Sequence, residues 1–359
     1  MDINELLKLM TEKGASDLHL RVPSPPVLRV DGELVIQEHL PRLETGDVEA
    51  AFEYITTEDQ RSRFLQEKEL DFSYSVPGLA RFRVSVMQQR GTISLAFRLV
   101  PFKVFTIDEL GLPQICKRLI LKPRGLILVT GPTGSGKSTT VAAMLNYLNE
   151  HMARNVITIE DPIEYLHPNI KCLIAQRDLG DDTKSFDVAL IHALRHDPDV
   201  IVVGELRDLE TISTAMRAAE TGHLVLGTLH TTDAPQTVDR IIDIFPANQQ
   251  PQIRLQFSQI IEAVLSQTLL PRAEGKGRIS AFEIMTANSA VRNLVREGKT
   301  FELHNVIQLS ASEGMQTLDQ ALADLVKKKI VSLEEARMKS SHPDRLKKIL
   351  EFQQGPTRP

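Results

Sequence analysis

One stretch restricts the fold of this chain more than any other: the nine residues from Gly131 to Thr139 read GPTGSGKST. An apolar run, Leu126 to Thr130, precedes it, and a pattern typical of an amphipathic helix follows it. Strand, loop and helix in that order form the context in which a GxxxxGKS/T sequence binds phosphate, because the glycines let successive backbone N–H groups point inward at a helix N-terminus. The sequence therefore predicts a site for a nucleoside triphosphate.

The residues of this phosphate loop have separate expected roles. Lys137 should reach the β- and γ-phosphates, and the Ser138 hydroxyl should bind Mg²⁺. The other members should surround the phosphates with backbone groups; they are Gly131, Pro132, Thr133, Gly134, Ser135, Gly136 and Thr139.

Composition limits the class of protein. The chain has 359 residues, 42% of them hydrophobic and 25% charged, which is ordinary for a globular protein of two domains. No apolar run approaches the roughly 20 residues of a membrane span, and the N-terminus lacks an export signal, so a cytoplasmic protein is expected. The net charge of −5 argues against a nucleic-acid partner. Cys116 and Cys172 are predicted to be small buried residues.

Residues 1–100 are predicted to form a small α+β domain. A helix should begin at Asp2, alternating apolar residues predict a strand near Leu18, and the pair Asp31-Gly32 predicts a β-hairpin. A helical region is expected from Thr45 to Gln66, followed by three strands with an alternating pattern.

The last two of these strands place arginines opposite one another. If they pair about Arg90-Gly91, Arg83 lies opposite Arg98 on the face away from the core, with Arg81 on the same face. The same register puts three residues, Phe82, Val84 and Val86, opposite Leu99, Phe97 and Leu95 on the buried face. Like charges directly opposed are unfavourable unless an anion or acidic partner lies there. Two interpretations remain open: two solvated arginines that point apart, or a pair that faces an anion.

A second domain should follow a short linker. Residues 101–106 are predicted to be that linker, because Pro101 ends the preceding strand and no periodicity follows. From Ile107 onward strands alternate with helices, the pattern of a parallel α/β sheet with crossover helices. The part beyond His230 is predicted to be largely helical, and Ala290 to Glu297, AVRNLVRE, has the pattern of an amphipathic helix.

Acidic residues follow two buried strands of the second domain. Glu160, Asp161 and Glu164 come directly after one strand, and Glu205 ends the next, Val200 to Val203. Ligands of parallel sheets collect at the carboxyl ends of strands, so Glu160 and Asp161 are candidates to organise Mg²⁺ and water. Glu164 is a candidate to activate the attacking water, and Glu205 matches a Walker B acid that serves Mg²⁺ through water. A solvated acidic loop without a ligand is the alternative.

Two histidines flank the strand Leu224 to Leu229: His223 precedes it and His230 follows it. His230 stands at the carboxyl end, where a sensor of the γ-phosphate is expected, although either histidine is also compatible with a structural role. Arg207 is expected either to contact phosphate or to pair with Asp208.

Taken together, these motifs resemble those of the type IV pilus retraction ATPases (PilT-like) of the secretion ATPase superfamily. The matching stretches are GASDLHL at 14–20, GPTGSGKST at 131–139, ITIEDPIEY at 157–165, DPDVIVVGELRDLET at 197–211, ETGHLVLGTLHT at 220–231 and GMQTLDQAL at 314–322. AVRNLVRE is similar to a C-terminal motif of the retraction members.

The resemblance implies an architecture and a set of site residues. It implies a PAS-like N-terminal domain (1–100), the linker (101–106) and a RecA-like P-loop ATPase domain with a helical C-terminal region (107–359), assembled as a homohexamer that binds ATP between subunits. By the same resemblance Glu164 is the catalytic glutamate, Glu205 the Walker B glutamate, and His223 and His230 the histidine-box pair. The final members of the site are the arginines, Arg83 and Arg98, with Arg81 as a third candidate.

The function that the resemblance implies is ATP hydrolysis, with Mg²⁺, that powers pilus retraction and twitching motility. The expected partner is a pilus platform protein at the cytoplasmic face of the inner membrane, with an accessory retraction ATPase as a further partner. Alternatives are an accessory retraction role (PilU-like) and pilus extension or type II secretion; the extension members commonly carry zinc-binding CxxC pairs, which this chain lacks. A RecA-like nucleic-acid translocase is the alternative from another class.

Overall fold

The chain forms two compact units in a computed structural model that describes residues 2–100 and 104–352. The N-terminal unit contains the residues up to 100 together with two short later segments, Pro162–Leu166 and Gly180–Asp182. The C-terminal unit contains the remainder of the chain from Val104. The predicted linker falls partly on residues 101–103, which lie outside the described residues.

The N-terminal unit is a six-stranded antiparallel sheet, in the order β3-β2-β1-β6-β5-β4, with three helices. Its elements are α1 (Ile3–Glu12), β1 (Asp17–Arg21), β2 (Val27–Val30), β3 (Glu33–Ile36), α2 (Thr45–Ile55), α3 (Glu58–Glu67), β4 (Glu69–Val76), β5 (Ala80–Gln89) and β6 (Thr92–Val100). The helices and one face of the sheet share a single apolar core that contains Leu7, Leu18 and Phe97.

Local signals in this unit were predicted correctly. The Asp2 side chain accepts a hydrogen bond from the backbone N–H of Asn4 at 2.8 Å and so caps α1. Asp31 and Gly32 both have positive φ, 51° and 90°, as a tight hairpin turn requires. The helical region predicted from Thr45 to Gln66 is present as two helices, because Thr57 caps the start of the second helix with its own capping box.

The register predicted for β5 and β6 is confirmed. Phe82 pairs with Leu99, Val84 with Phe97 and Arg83 with Arg98. Alternate side chains of a strand point to opposite faces, so the same pairing that buries the aromatic residues keeps the two arginines on the other face. Leu99 is the exception on the apolar face, because it is only half-buried.

The C-terminal unit is a seven-stranded mixed sheet, in the order β13-β12-β7-β11-β10-β8-β9, with helices on both faces. Its strands are β7 (Gly125–Thr130), β8 (Asn155–Glu160), β9 (Leu173–Asp178), β10 (Val200–Val203), β11 (Leu224–Leu229), β12 (Ile261–Pro271) and β13 (Arg278–Thr286). Its helices are α4 (Ile115–Ile120), α5 (Lys137–His151), α6 (Phe186–Ala193), α7 (Leu209–Glu220), α8 (Ala234–Asp243), α9 (Gln250–Ile260), α10 (Ser289–Glu297), α11 (Leu303–Leu309), α12 (Leu318–Lys327), α13 (Leu333–Lys339) and α14 (Pro343–Phe352), with 3-10 turns at Thr300–Glu302 and Ala311–Glu313.

The central strands of this sheet are buried on both faces. Leu128 and Ile201 belong to the core on one side, whereas Ile127 and Val202 belong to the core on the other. Burial on both faces explains their unbroken apolar runs, and it is what parallel strands covered by crossover helices require. The predicted parallel sheet is therefore correct, except that β13 runs antiparallel to β12.

The prediction of a largely helical part beyond His230 is wrong over β12 and β13. β12 has apolar residues at Ile261, Val264 and Leu265, a spacing of three and four that is typical of a helix. Both faces of this strand are covered, so the alternation that identifies a half-buried strand is missing. The edge strand β9 was also not predicted.

The predicted amphipathic helix AVRNLVRE is α10. Val291 and Val295 are fully buried. The Arg292 guanidinium donates hydrogen bonds to the carbonyl oxygens of Ser258 and Gln259, at 2.7 and 2.8 Å, in the last turn of α9. A cation at the last carbonyls of a helix satisfies acceptors that have no partner within that helix, so Arg292 fastens α10 to α9.

The two cysteines are buried, as predicted. Cys116 is fully buried, and burial raises the pKa of its thiol to about 12. Cys172 is 3% exposed, and burial again raises its pKa. Within residues 2–100 and 104–352, the structure contains no helix with the length and apolar character that a bilayer span needs.

Candidate nucleotide-binding site

Parallel pairing brings three strand ends to one edge of the C-terminal sheet. β11 pairs with β7 as far as Leu229 and Thr130, and β10 pairs with β11 at Val203 and Gly227. Ligands in sheets of this kind bind at the carboxyl ends of the strands. The phosphate loop follows β7, Glu205 follows β10 and His230 follows β11, so these three segments meet as the sequence predicted.

Lys137 is the first residue of α5, at the end of the phosphate loop. Its ammonium group donates hydrogen bonds to the carbonyl oxygens of Gly131 and Pro132, at 2.8 and 3.1 Å. Its Nζ atom also lies 3.5 Å from Nδ1 of His230. The predicted phosphate ligand and the predicted sensor histidine are therefore in direct contact.

His230 connects Lys137 to Glu205. Its Nε2 atom lies 3.1 Å from Oε1 of Glu205. In the neutral tautomer that carries its proton on Nε2, the imidazole would donate to the carboxylate and accept from the lysine at Nδ1. This single tautomer satisfies both contacts at once.

Arg207 neutralises Glu205 from the other side. Its Nη2 atom lies 2.7 Å from Oε2 of Glu205, and its Nη1 atom lies 3.9 Å from Oδ2 of Asp161. The structure therefore replaces the predicted pairing of Arg207 with Asp208, because the Asp208 carboxylate caps α7 by accepting from the backbone N–H of Thr211. Lys137, His230, Glu205, Arg207 and Asp161 form one continuous polar chain.

These contacts set the pKa of Glu205. Partial burial alone would raise the pKa of its carboxyl group, but the hydrogen bond and charge of Arg207, together with His230, outweigh burial and lower it. The carboxylate is therefore held in its charged form. An anion is the form that Mg²⁺ and its bound water require.

Gly204 stands where Walker B strands often have aspartate, and the neighbouring strand explains the glycine. A Cβ atom at this position would lie 3.1 Å from the carbonyl oxygen of Ile159 and 3.2 Å from Cα of Glu160. A larger residue at this position would need the backbone at the end of β8 to move back by a few tenths of an ångström. Glu205 is left as the acid at this strand end.

The three acids after β8 have different surroundings. Glu160 accepts hydrogen bonds from Oγ1 of Thr158 at 2.6 Å and from Nε2 of Gln176 at 3.1 Å, so its carboxylate has structural partners. Asp161 is exposed beside Arg207. Glu164 is exposed and lies in the short segment that belongs to the N-terminal unit.

His223 lies at the opposite end of β11 from His230. Its Nδ1 atom lies 2.9 Å from the carbonyl oxygen of Ala218 and 3.2 Å from Oγ1 of Thr221, at the end of α7. The six residues of β11 separate the two histidines by roughly 20 Å at the usual rise of a strand. Within one chain, the structure therefore does not bring His223 to the phosphate loop.

The arginines of the N-terminal unit have an acidic partner. Nε of Arg98 donates to Oδ1 of Asp17 at 2.8 Å, and Nε of Arg29 lies 4.0 Å from the other carboxylate oxygen. Burial alone would raise the pKa of Asp17, but bonds from Ser16 and Arg98 outweigh it and lower the pKa. The contact with Asp17 compensates the charge of Arg98, one arginine of the opposed pair. Arg83, the other, has the uncharged Ser73 as its register partner on β4.

Mg²⁺ fits the groups at the loop. Ser138, in the first turn of α5, provides a hydroxyl oxygen, and Glu205 provides a carboxylate held in its charged form. Hard oxygen donors of this type, completed by water and phosphate, are the ligands that Mg²⁺ prefers. These two residues remain the candidates to hold it.

Gln267 on β12 contacts the phosphate loop and was missed from the sequence. Its side-chain amide donates to the carbonyl oxygen of Ser135 at 2.6 Å and accepts from Oγ1 of Thr140 at 2.7 Å. Because β12 was not recognised as a strand beside β7, nothing placed this residue near the loop. Only a sequence pattern that identified β12 as a strand, and β7 as its neighbour, could have placed Gln267 at the loop.

The fold and the groups at its strand ends define a nucleotide-binding α/β protein of the ATPase type. The family model described as "Type II/IV secretion system protein" matches residues 1–338. The chain belongs to that family.

Two curated relatives and one solved structure are similar over nearly the whole chain. "Type IV pilus retractation ATPase PilT" of Pseudomonas aeruginosa is 51% identical over 344 residues, which cover 96% of this chain and 99% of the relative. A "Twitching motility protein" of Neisseria gonorrhoeae is 46% identical over 319 residues, which cover 89% and 85%. The crystal structure of the pilus retraction motor PilT with bound ADP has a TM-score of 0.91 at 46% identity and covers 97% and 99%. The resemblance inferred from the motifs is confirmed.

The lowered pKa of Glu205 predicts a pH-dependent contribution to stability. A carboxyl whose pKa falls on folding stabilises the folded chain above its unfolded pKa, and this stabilisation is lost as the pH falls through the folded pKa. The difference in unfolding free energy between wild type and Glu205→Gln should be constant near neutral pH and should narrow below about pH 4.5, the ordinary value for this group.

Urea unfolding of both proteins across this pH range provides the measurement. In an Arg207→Ala background the loss of this stability difference on acidification should be smaller, because burial is then less opposed and the folded pKa of Glu205 moves back toward its unfolded value. A difference that stays constant to about pH 3 would contradict the assignment of Glu205 as a group with a lowered pKa.

Proposed function

We propose that this chain is an ATPase motor that powers the retraction of type IV pili, and thereby twitching motility, as a homohexameric ring. The observation that carries the proposal is the direct contact of Lys137 with His230 and of His230 with Glu205 at the end of the phosphate loop. The similarity to a pilus retraction ATPase over 96% of the chain supports the same function.

The geometry supports defined roles at the bound ATP. Lys137 exchanges the loop carbonyl oxygens for the β- and γ-phosphates. Ser138 and Glu205 would hold Mg²⁺, which would supply charge neutralisation at the phosphates. Because His230 contacts both Lys137 and Glu205, it senses whether the lysine has turned to a γ-phosphate. Glu164 removes a proton from the attacking water, and Glu160 and Asp161 support the strand end beside it.

Two domains carry these groups in the proposed motor. Residues 1–100 form a PAS-like domain and residues 107–359 form a RecA-like P-loop ATPase domain, joined by the linker 101–106. We infer that the two domains change their relative arrangement as ATP is bound and hydrolysed. Hydrolysis would then be coupled to rotation of one domain against the other, and this is how chemistry becomes movement.

The arginines complete the site of a neighbouring subunit in this proposal. Arg83, Arg98 and Arg81 lie on the face of one sheet that is turned away from its core, with positive charge that would stabilise the transferred phosphoryl group. Arg98 is 68% exposed even though it pairs with Asp17, so its guanidinium retains free edges for a phosphate. His223 faces away from its own loop, and we assign it to the ring in the same way, as a group that acts on a neighbour's nucleotide.

The proposed load is the pilus platform protein at the cytoplasmic face of the inner membrane, with an accessory retraction ATPase as a second partner. An accessory retraction role for this chain itself is the alternative function, and pilus extension is a third. The intact acids Glu164 and Glu205 favour the main motor over an accessory with little turnover. Nucleic acid is not a proposed partner, because the net charge of −5 disfavours it.

The assignment of Glu164 as the general base predicts a selective loss of turnover. Glu164→Gln should lower kcat about 100- to 1,000-fold, because an amide cannot take the proton from water. The KM for ATP should change little, since the residue acts on water and not on the phosphates. Steady-state phosphate release measures both quantities. Glu150→Gln, an exposed acid of α5, is the matched control, and equal turnover of the two variants would remove the assignment.

The shared site predicts complementation between inactive variants. Lys137→Ala lacks the phosphate ligand and Arg83→Ala lacks the arginine, so each ring should be nearly inactive alone. If the arginine acts on the neighbour's nucleotide, a random equimolar mixture should recover up to roughly a quarter of wild-type turnover, because that share of sites combines two intact halves. Both variants must first be shown to assemble like wild type. Mixed rings that stay inactive would place both groups on the same subunit's nucleotide.

The retraction function predicts a defined cellular phenotype. Deleting the gene should abolish twitching on an agar surface while the number of surface pili rises, because assembly continues without disassembly. Wild type should restore both properties, and Glu164→Gln should restore neither. Counting pili by electron microscopy beside the motility assay gives the result. Cells that lose their pili would instead identify an extension motor.

A further inference from the structure

Gln267 lies where β12 extends past the end of β7. Ser266 pairs with Thr130, the last residue of β7, so the next residue of β12 stands beside the phosphate loop and not beside a strand. Gln267 is 4% exposed. Its side chain is therefore directed into the interface between β12 and the loop.

The amide of Gln267 joins the middle of the loop to the helix that follows. Its NH₂ group donates to the carbonyl oxygen of Ser135 at 2.6 Å, and its carbonyl oxygen accepts from Oγ1 of Thr140 at 2.7 Å. Thr140 lies in the first turn of α5 and is 1% exposed. Among side chains of this length, only a neutral amide offers a donor and an acceptor at the same end.

The direction of the Ser135 carbonyl determines where the next backbone N–H points. In a planar trans peptide the C=O and the following N–H point in opposite directions. Gln267 holds the carbonyl of Ser135 toward β12, so the N–H of Gly136 is directed to the other side, into the loop. Inward N–H groups are what a phosphate loop uses to bind its ligand.

Two glycines of the phosphate loop allow it to lie close to Gln267 on β12. A Cβ atom at Gly131 would lie 2.2 Å from the backbone carbonyl oxygen of Gln267, and a Cβ atom at Gly136 would lie 2.8 Å from its side-chain nitrogen. Both glycines also have positive φ, 141° and 91°. The first and last glycines of the motif therefore fit the loop against β12, in addition to any contact with phosphate.

We propose that Gln267 is a positioning residue of the nucleotide site, which fixes the binding conformation of the phosphate loop from β12. The inference rests on the proposed function, since it concerns the same nucleotide. It adds a residue outside the loop, on a different strand, whose amide decides how well the loop binds phosphate.

The test compares Gln267→Met with wild type. Methionine has a similar length and an apolar end, so the site keeps its volume but loses both hydrogen bonds. The affinity for ADP, measured with a fluorescent ADP analogue, should fall about 10- to 100-fold, the cost of leaving buried polar groups unpaired. The KM for ATP should rise more than kcat falls, because the loop binds the phosphates in both the ground state and the transition state.

Thr140 provides a second route to the same interaction. Thr140→Val should also weaken ADP binding, whereas Thr140→Ser, which keeps the hydroxyl, should restore it. The double variant Gln267→Met/Thr140→Val should lose less than the sum of the single losses, since both changes break one shared arrangement. Ser266→Ala is the matched control: it removes a buried hydrogen bond to Thr130 from the adjacent position and should leave ADP affinity unchanged.

The outcomes separate this inference from the proposed function. Wild type that binds ADP, with Gln267→Met and Thr140→Val binding equally well, would overturn the role of Gln267 alone. Wild type that binds no nucleotide would overturn both. A loss of active protein in Gln267→Met with unchanged KM would indicate a merely structural role, and would also overturn the inference.

Discussion

The parallel alignment of β7, β11 and β10 is the constraint on which the site depends. Backbone hydrogen bonds fix the ends of these strands next to one another, so the residues that follow them are brought together although they are far apart in the chain. Glu205 and His230 follow closely after β10 and β11, and Lys137 begins the helix after the phosphate loop, so the aligned strand ends bring the three side chains within reach of one another. A register shift of one residue in β10 or β11 would turn the side chains at that strand end to the other face of the sheet.

Electrostatics then gives this edge its character. Glu205 receives Arg207 on one oxygen and His230 on the other, and the histidine passes the contact on to Lys137. The Lys137 ammonium group also donates hydrogen bonds to the carbonyl oxygens of Gly131 and Pro132 in the loop. Lys137 and Arg207 therefore lie close to the same strand end, where the Glu205 carboxylate provides most of the compensating negative charge. A polyphosphate entering there would take the Lys137 ammonium from the loop carbonyls that it now contacts, while the backbone N–H groups of the loop are held in place by the fold.

The parts of the fold that could be predicted are those coded by neighbouring residues. The Asp31-Gly32 turn, the register of Arg83 with Arg98 and the bounds of β10 follow from local pattern, and the structure confirms them. Contacts between distant segments could not be predicted. Asp17 meets Arg98 across 81 positions, and Gln267 meets Ser135 across 132. His223 and His230 illustrate the opposite case. They are only seven positions apart in the sequence, but the strand between them places them at opposite ends of the sheet.

Both native thiols are closed off from solvent, and Cys116 in addition keeps its proton far above neutral pH. Thiolate is the form that reacts with maleimides and related reagents, so the folded wild-type chain should be nearly inert to them. A cysteine introduced on the surface would therefore carry a dye at one known place without prior replacement of the two natural ones. Nucleotide exchange, and assembly into the proposed ring, can then be followed optically in an otherwise unaltered sequence.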